Sequence, residues 1–181
     1  METTKTTWAI DPSHSEIGFK VKHLVVSNLR GTFGEYEASI QTTGDDFTNA
    51  AITFSLHTAS INTRNEQRDA HLKAADFFDA EHFNKISFVA NGFEKLDNEG
   101  RYEMNGDLTI KGITHRIKLD VAFGGMVKDP WGNIKAVFAV TGKINRNDFG
   151  LSFNAVLETG GLLLSEDVWI HCDLQLVKVE Q

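Results

Sequence analysis

Chemistry at neutral pH needs converging groups: a nucleophile beside a base, a set of metal ligands, or a cation placed to meet an anion. The chain carries seven histidines, His14, His23, His57, His71, His82, His115 and His171, and a single cysteine, Cys172. No pair of histidines has the H-x-x-x-H spacing that puts two imidazoles on one helical face. His171 and Asp173 share strand parity, but it is opposite to that of the apolar set Val168, Ile170, Cys172, Leu174 and Leu176, so they point to solvent. Ser13-His14-Ser15 places hydroxyls beside an imidazole, yet adjacency in sequence does not make a nucleophile–base pair. Its ordinary role, within Asp11-Pro12-Ser13-His14-Ser15, is a turn held by side-chain to backbone hydrogen bonds. No G-x-S-x-G elbow, P-loop or dinucleotide fingerprint is present. Cys172 lies on an apolar parity and reads as an unreactive core thiol. His23, Arg30 and Arg68 remain. Each has an ordinary reading: a core histidine with one hydrogen bond, a turn arginine, and a helical arginine paired with Asp69 or Glu66.

The elements that would position these groups are strands. Ile17, Phe19, Val21, His23 and Val25 share one face of a period-two segment, and a second strand returns through Leu29, Gly31 and Phe33 with Arg30 near its start. The alternation recurs in Ile52-Phe54-Leu56, Ile86-Phe88-Ala90, Tyr102 to Ile110, Ile113 to Phe123, Ile134 to Ile144 and Val168 to Leu176. Turn signals separate them, as in Thr43-Gly44-Asp45-Asp46, Asp97-Asn98-Glu99-Gly100 and Asp129-Pro130-Trp131-Gly132-Asn133. About eight strands at hairpin spacing predict an all-β antiparallel barrel or sandwich, and their length favours the barrel, which leaves no exposed edge. One segment departs from this. Thr63-Arg64-Asn65-Glu66 has the S/T-x-x-E form of a capping box, which predicts a helix starting near residue 64 and followed by Phe77, Phe78 and Phe83. Such a helix either covers one mouth of the barrel or packs outside it. Asn145-Arg146-Asn147-Asp148-Phe149-Gly150-Leu151 interrupts the last pair of strands and reads as a rim loop.

Composition narrows the classes of function. The 181 residues are expected to form a single domain, 1–181, with no linker or repeat. A net charge of −7 argues against nucleic acid and gives no general attraction to anionic membranes. No apolar run approaches a spanning helix, so stable membrane insertion is not expected. No signal peptide is visible; the expected location is the cytoplasm, or the periplasm if a leader was removed.

The order and spacing of several fragments resemble the YceI-like family. They are Trp8-x-Ile10-Asp11-Pro12-x-His14-Ser15, Phe19-x-Val21-x-His23, Arg30-Gly31-x-Phe33, Ser60-Ile61-x-Thr63, Arg68-Asp69-x-His71-Leu72, Asp76-Phe77-Phe78-Asp79, Gly106-Asp107-Leu108-Thr109-Ile110-x-Gly112-x-Thr114 and Ile144-Asn145-Arg146-x-Asp148-Phe149-Gly150. The resemblance implies an extended eight-stranded lipocalin-like barrel with a helix at its mouth. It also implies a non-enzymatic role: binding a long isoprenoid lipid, a polyprenyl phosphate or a quinone tail, as carrier, store or sequestering protein. The candidates it transfers for the lipid head or the mouth are His14, His23, Arg30, Arg68 and His71, the alternative being that they brace the mouth helix. No catalytic residue, metal or cofactor is expected beyond the lipid, and a homodimer is allowed. The alternative is a hydrolase or isomerase acting on a small apolar substrate in the same cavity.

Parity and the barrel reading together predict that Phe19, Val21, Phe33, Phe54, Phe88, Leu108, Leu119, Phe138 and Ile170 point inward as a hydrophobic channel. Burying a CH₂ contributes roughly 0.8 kcal/mol. Ten buried carbons therefore give on the order of 8 kcal/mol, from which association and tail ordering subtract several. Micromolar binding thus needs a deep channel rather than a surface patch.

Overall fold

In the computed structural model, which describes residues 4–24, 26–154 and 163–179, the alternating segments become twelve strands and one α-helix. The strands are β1 (Lys5–Ile10), β2 (Glu16–His23), β3 (Ser27–Phe33), β4 (Tyr36–Thr43), β5 (Asp46–His57), β6 (Ile61–Asn62), β7 (Lys85–Asn91), β8 (Glu94–Lys95), β9 (Arg101–Ile110), β10 (Ile113–Lys128), β11 (Ile134–Asn145) and β12 (Leu164–Lys178). The helix, α1, spans Glu66–Lys73. Hydrogen bonding runs β1-β4-β5-β7-β9-β10-β11-β12 and returns from β12 to β1, closing an eight-stranded antiparallel barrel.

One strand serves twice. β1 pairs with residues 176–178 of β12, and β2 pairs with residues 164–173 of the same strand. They lie in line along β12, interrupted by a 3-10 turn at Pro12–His14. The other edge of β1 closes the barrel on β4, whereas the other edge of β2 carries β3 and then β6 as a flap.

Period-two alternation explains the interior. Phe54 pairs with Phe88 and Phe88 with Leu108, so one inward row crosses three strands. Room for the rings comes from small residues. A Cβ on Gly31 would come within 2.4 Å of the Phe19 ring, and one on Gly106 within 2.4 Å of the Phe88 ring. The end bearing the β4–β5 and β10–β11 turns is floored by aromatic rings. Phe47 lies 5.0 Å from Trp8 and 4.9 Å from Phe138, and Phe123 stacks on Phe138 at 4.9 Å. Trp8 is buried in this floor, and its indole N–H donates to Thr42 Oγ1 at 2.9 Å, so the polar tip is satisfied. The opposite end bears the β2–β3 and β9–β10 turns, α1, and a 3-10 turn at Arg146–Phe149.

The helix does not start as the capping-box pattern predicts. Its N-cap is Asn65, whose side chain accepts from the Arg68 N–H at 3.0 Å. Arg64 takes a left-handed conformation at φ 64°, which separates Thr63 from the helix. Thr63 is instead a buried junction: its hydroxyl donates to Asp69 and accepts from Arg68 Nε at 2.8 Å. No helix among the described residues is long and apolar enough to cross a membrane.

Candidate functional site

Between the aromatic floor and α1 lies a cavity of about 270 Å³. Its lining runs from Phe47 and Phe93 at the floor to Leu72, Phe77 and Phe78 under the helix, and its surface is almost wholly carbon. All nine residues assigned to the hydrophobic channel line it: Phe19, Val21, Phe33, Phe54, Phe88, Leu108, Leu119, Phe138 and Ile170. They do so because every second residue of each strand faces in, and no bulge falls within these stretches to reverse the parity. Phe33 meets Phe78 edge-on at 6.0 Å, which ties the segment after α1 to the barrel wall.

The five polar residues assigned to the lipid head are placed differently, and none of them lines the cavity. Arg30 stands on the outer face, because Leu29, Gly31 and Phe33 take the inward positions of β3. His14 is exposed at the kink between β1 and β2. Arg68 spends its guanidinium on Thr63, with Nη2 donating to the backbone carbonyl at 2.6 Å, and so braces the turn before α1. His71 is exposed, 3.4 Å from Asp76 and edge-on to Phe77 and Phe153, each at 5.0 Å. His23 is half-buried at the end of β2, its backbone paired with Ser27 and Leu164. These groups therefore do not converge inside the cavity: they are spread over the rim, the outer wall and the brace of the helix.

The charged residue that does border the cavity is Arg146, which was read as part of a rim loop. It is only 4% exposed. Nε donates to Ser165 O at 2.9 Å, and Nη1 donates to Leu151 O at 2.5 Å and to Phe153 O at 2.8 Å. Burial holds its pKa below the usual arginine value, and Glu166 opposes that only in part. Since the lining is nearly all carbon, the methylene stem of Arg146 faces the cavity while its head clips the turn at Arg146–Phe149 to the start of β12. Two local cues mark this turn: Asn145 caps it by accepting from the Asn147 N–H, and Gly150 ends it at φ 75°.

Ser13, His14 and Asp11 do meet, but not as a relay. His14 Nδ1 lies 2.9 Å from Asp11 Oδ2 and 3.0 Å from Ser13 Oγ, whereas a nucleophile–base–carboxylate relay uses opposite ring nitrogens. Ser13 Oγ also donates directly to Asp11 at 2.7 Å. Lys135 Nζ donates to Asp11 Oδ2 at 2.9 Å and, with the Ser13 and His14 contacts, holds that carboxyl well below the usual carboxylate range. The cluster staples the β1–β2 kink to β11. Cys172 lines the cavity, and burial pushes its thiol up to about 11, so it is protonated at neutral pH.

The model of the YceI-like domain matches residues 8–176. The chain belongs to the YceI-like family. A UPF0312 protein of Staphylococcus aureus strain MSSA476 is 41% identical over 164 residues, covering 90% of this chain and 92% of that one. Among solved structures, the Campylobacter jejuni YCEI protein is 35% identical, with a TM-score of 0.75 over 94% of this chain and 96% of its own. A polyisoprenoid binding domain from Saccharophagus degradans shares the fold at 12% identity and a TM-score of 0.68, over 95% of this chain and 98% of its own. The barrel thus recurs in a solved structure whose sequence is only 12% identical.

Proposed function

We propose that this YceI-like barrel binds a long isoprenoid lipid, with the tail inside the cavity and the polar head at the rim near α1, and that it carries or stores the lipid rather than transforming it. The observation behind this reading is the cavity: closed at one end by aromatic rings, walled almost entirely in carbon, and reaching the helix-covered end. A wall of that kind favours a tail through burial of CH₂ groups and offers a head no donor. The fold shared with a domain described as polyisoprenoid binding supports the choice of tail. At about 270 Å³ the cavity lies just below the ~300 Å³ where small-molecule sites begin, so a long tail requires widening. The yielding part is the covering segment, where α1 has no fully buried residue.

Because selection falls on the tail, affinity should rise with the number of isoprene units until the cavity is full and then level off. Each unit that still fits should bring at least about tenfold, since five buried carbons exceed ~1.4 kcal/mol even after ordering costs. Titrating a series of isoprenols and their tail-matched phosphates tests this. The expected result is dependence on length, with alcohol and phosphate alike within about threefold. A dominant preference for the phosphate at every length would place the head inside and contradict the assignment.

A further inference from the structure

The β2–β3 turn breaks the usual chemistry of turns. Hairpin turns take glycine, asparagine, aspartate or proline because these tolerate the backbone and like water. Here the described turn residues between His23 and Ser27 are Leu24 and Val26. Leu24 is 47% exposed and Val26 80% exposed. Leu24 also adopts φ 53°, a conformation that a bulky residue rarely takes. The turn therefore sets two apolar side chains in water, Leu24 on a backbone it does not suit. A backbone bond from the Leu24 N–H to Leu163 O at 3.0 Å holds the turn against the chain entering β12.

Its position is at the mouth. Val21 and Leu29, the inward residues next along β2 and β3, line the cavity, as does Leu164 opposite His23. The outer face of the same hairpin is basic. Lys20 pairs with Arg30 across the strands, and Lys22 lies one inward-outward repeat nearer the tip. Lys20 and Lys22 place their ammonium groups 5.2 Å and 5.8 Å from the Trp169 ring. The neighbouring carboxylate Asp167 faces Lys143 at 3.9 Å, and Asp173 faces His171 at 3.2 Å. Glu166, exposed in the irregular part of β12 between Leu164 and Val168, offsets one of the three hairpin cations, and the surplus that remains is hidden by the net charge of −7.

We propose that the β2–β3 hairpin docks the protein on an anionic lipid bilayer, Leu24 and Val26 entering the interface while Lys20, Lys22 and Arg30 meet the headgroups. An apolar tip backed by cations and an interfacial indole is the composition that binds such a surface. The inference rests on the lipid-binding reading, because an isoprenoid too insoluble to diffuse through water must be taken from a membrane, and this tip brings the mouth to it. Another exposed apolar tip, Trp131 at 84% exposure, sits on the β10–β11 turn beyond the closed aromatic floor and serves as the internal control.

The test is co-sedimentation with vesicles of phosphatidylcholine alone and of equal parts phosphatidylcholine and phosphatidylglycerol. Three variants are compared with the wild type: Leu24→Asn/Val26→Ser, Lys20→Gln/Lys22→Gln/Arg30→Gln, and Trp131→Ser. Melting temperature and lipid retained on purification are measured in parallel. The wild type should bind the anionic vesicles and weaken with salt. The tip variant should lose at least about tenfold, and the triple charge variant roughly a hundredfold at about fivefold per cation. Trp131→Ser should bind as the wild type does. Asparagine accepts the left-handed conformation, so the tip variant should melt no lower than the wild type. Equal binding to both vesicle types, loss through Trp131→Ser instead, or a marked fall in melting from the tip variant would overturn the proposal. So would a wild-type dimer that the tip variant dissociates without any vesicle binding. Retention of lipid by a wild type that ignores vesicles removes the docking surface and leaves the cavity assignment intact; loss of retention with docking preserved does the reverse.

Discussion

Replacing Arg146 by Met should destabilise the barrel by about 3 kcal/mol. Three hydrogen bonds join its guanidinium to the carbonyls of Ser165, Leu151 and Phe153. A hydrogen bond involving a charged group contributes roughly 1.5–3 kcal/mol, a gross total of about 4.5–9. Taking a guanidinium out of water to 4% exposure costs several kcal/mol, which offsets about half of that total. Methionine keeps most of the apolar stem, so the loss isolates the head and leaves three carbonyls to find water near the mouth. For a chain of this length, about 3 kcal/mol corresponds to a fall in Tm of about 6–12 °C. Circular dichroism melts of the lipid-free protein read it directly. Arg146→Lys should recover less than half, since an ammonium cannot span three carbonyls as a planar fork does. A Met variant melting within about 2 °C of the wild type would refute the view that this buried cation clips the strand interruption to β12.

Other consequences concern the wall, the helix and the thiol. Gly106→Ala should cost about 2 kcal/mol, because the new Cβ meets the Phe88 ring at 2.4 Å and the fixed carbonyl of Val89 at 2.7 Å; Gly34→Ala, with nothing within 4 Å, should be near neutral in the same denaturant titration. Asn65→Ala should lose about 1 kcal/mol as a helix cap, and Thr63→Ala about 2, since its hydroxyl serves both Asp69 and Arg68. No loss from Asn65→Ala beside about 1 kcal/mol from Thr63→Ala in urea melts would restore Thr63 as the cap. Cys172, with its thiol raised to about 11, should react with maleimide at pH 8 roughly a hundredfold or more slowly than a free cysteine, gain rate as pH rises, and slow further when a tail fills the cavity. A rate like that of an exposed thiol would show that the wall opens there.

The wall was readable because strand periodicity is local: Phe54, Phe88 and Leu108 face in by their position within single strands, whichever strands they pair with. The doubled use of β12 by β1 and β2 was not, because it depends on a kink at Pro12–His14 and on pairing with residues some 160 positions away. Arg30 alternates with Leu29, Gly31 and Phe33, so its outward position follows from strand parity once the strand is extended through it, whereas its ordinary sequence reading is a turn arginine and its candidacy for the head comes from the family resemblance. The helix start was misplaced because Thr63 and Asn65 are both cap-forming residues, and only the left-handed Arg64 decides between them. Arg146 went unread because its partners are carbonyls, which carry no side-chain signature.

Native mass spectrometry of protein purified without detergent reads whether the barrel interior holds an isoprenoid tail. The comparison is with Ile170→Trp, which places an indole in the cavity from β12. The wild type should carry an adduct that organic extraction identifies as an isoprenoid lipid, and the folded Ile170→Trp protein should carry little or none. A wild type that stays empty after incubation with long-chain isoprenols, or an equal adduct on the blocked variant, would contradict it.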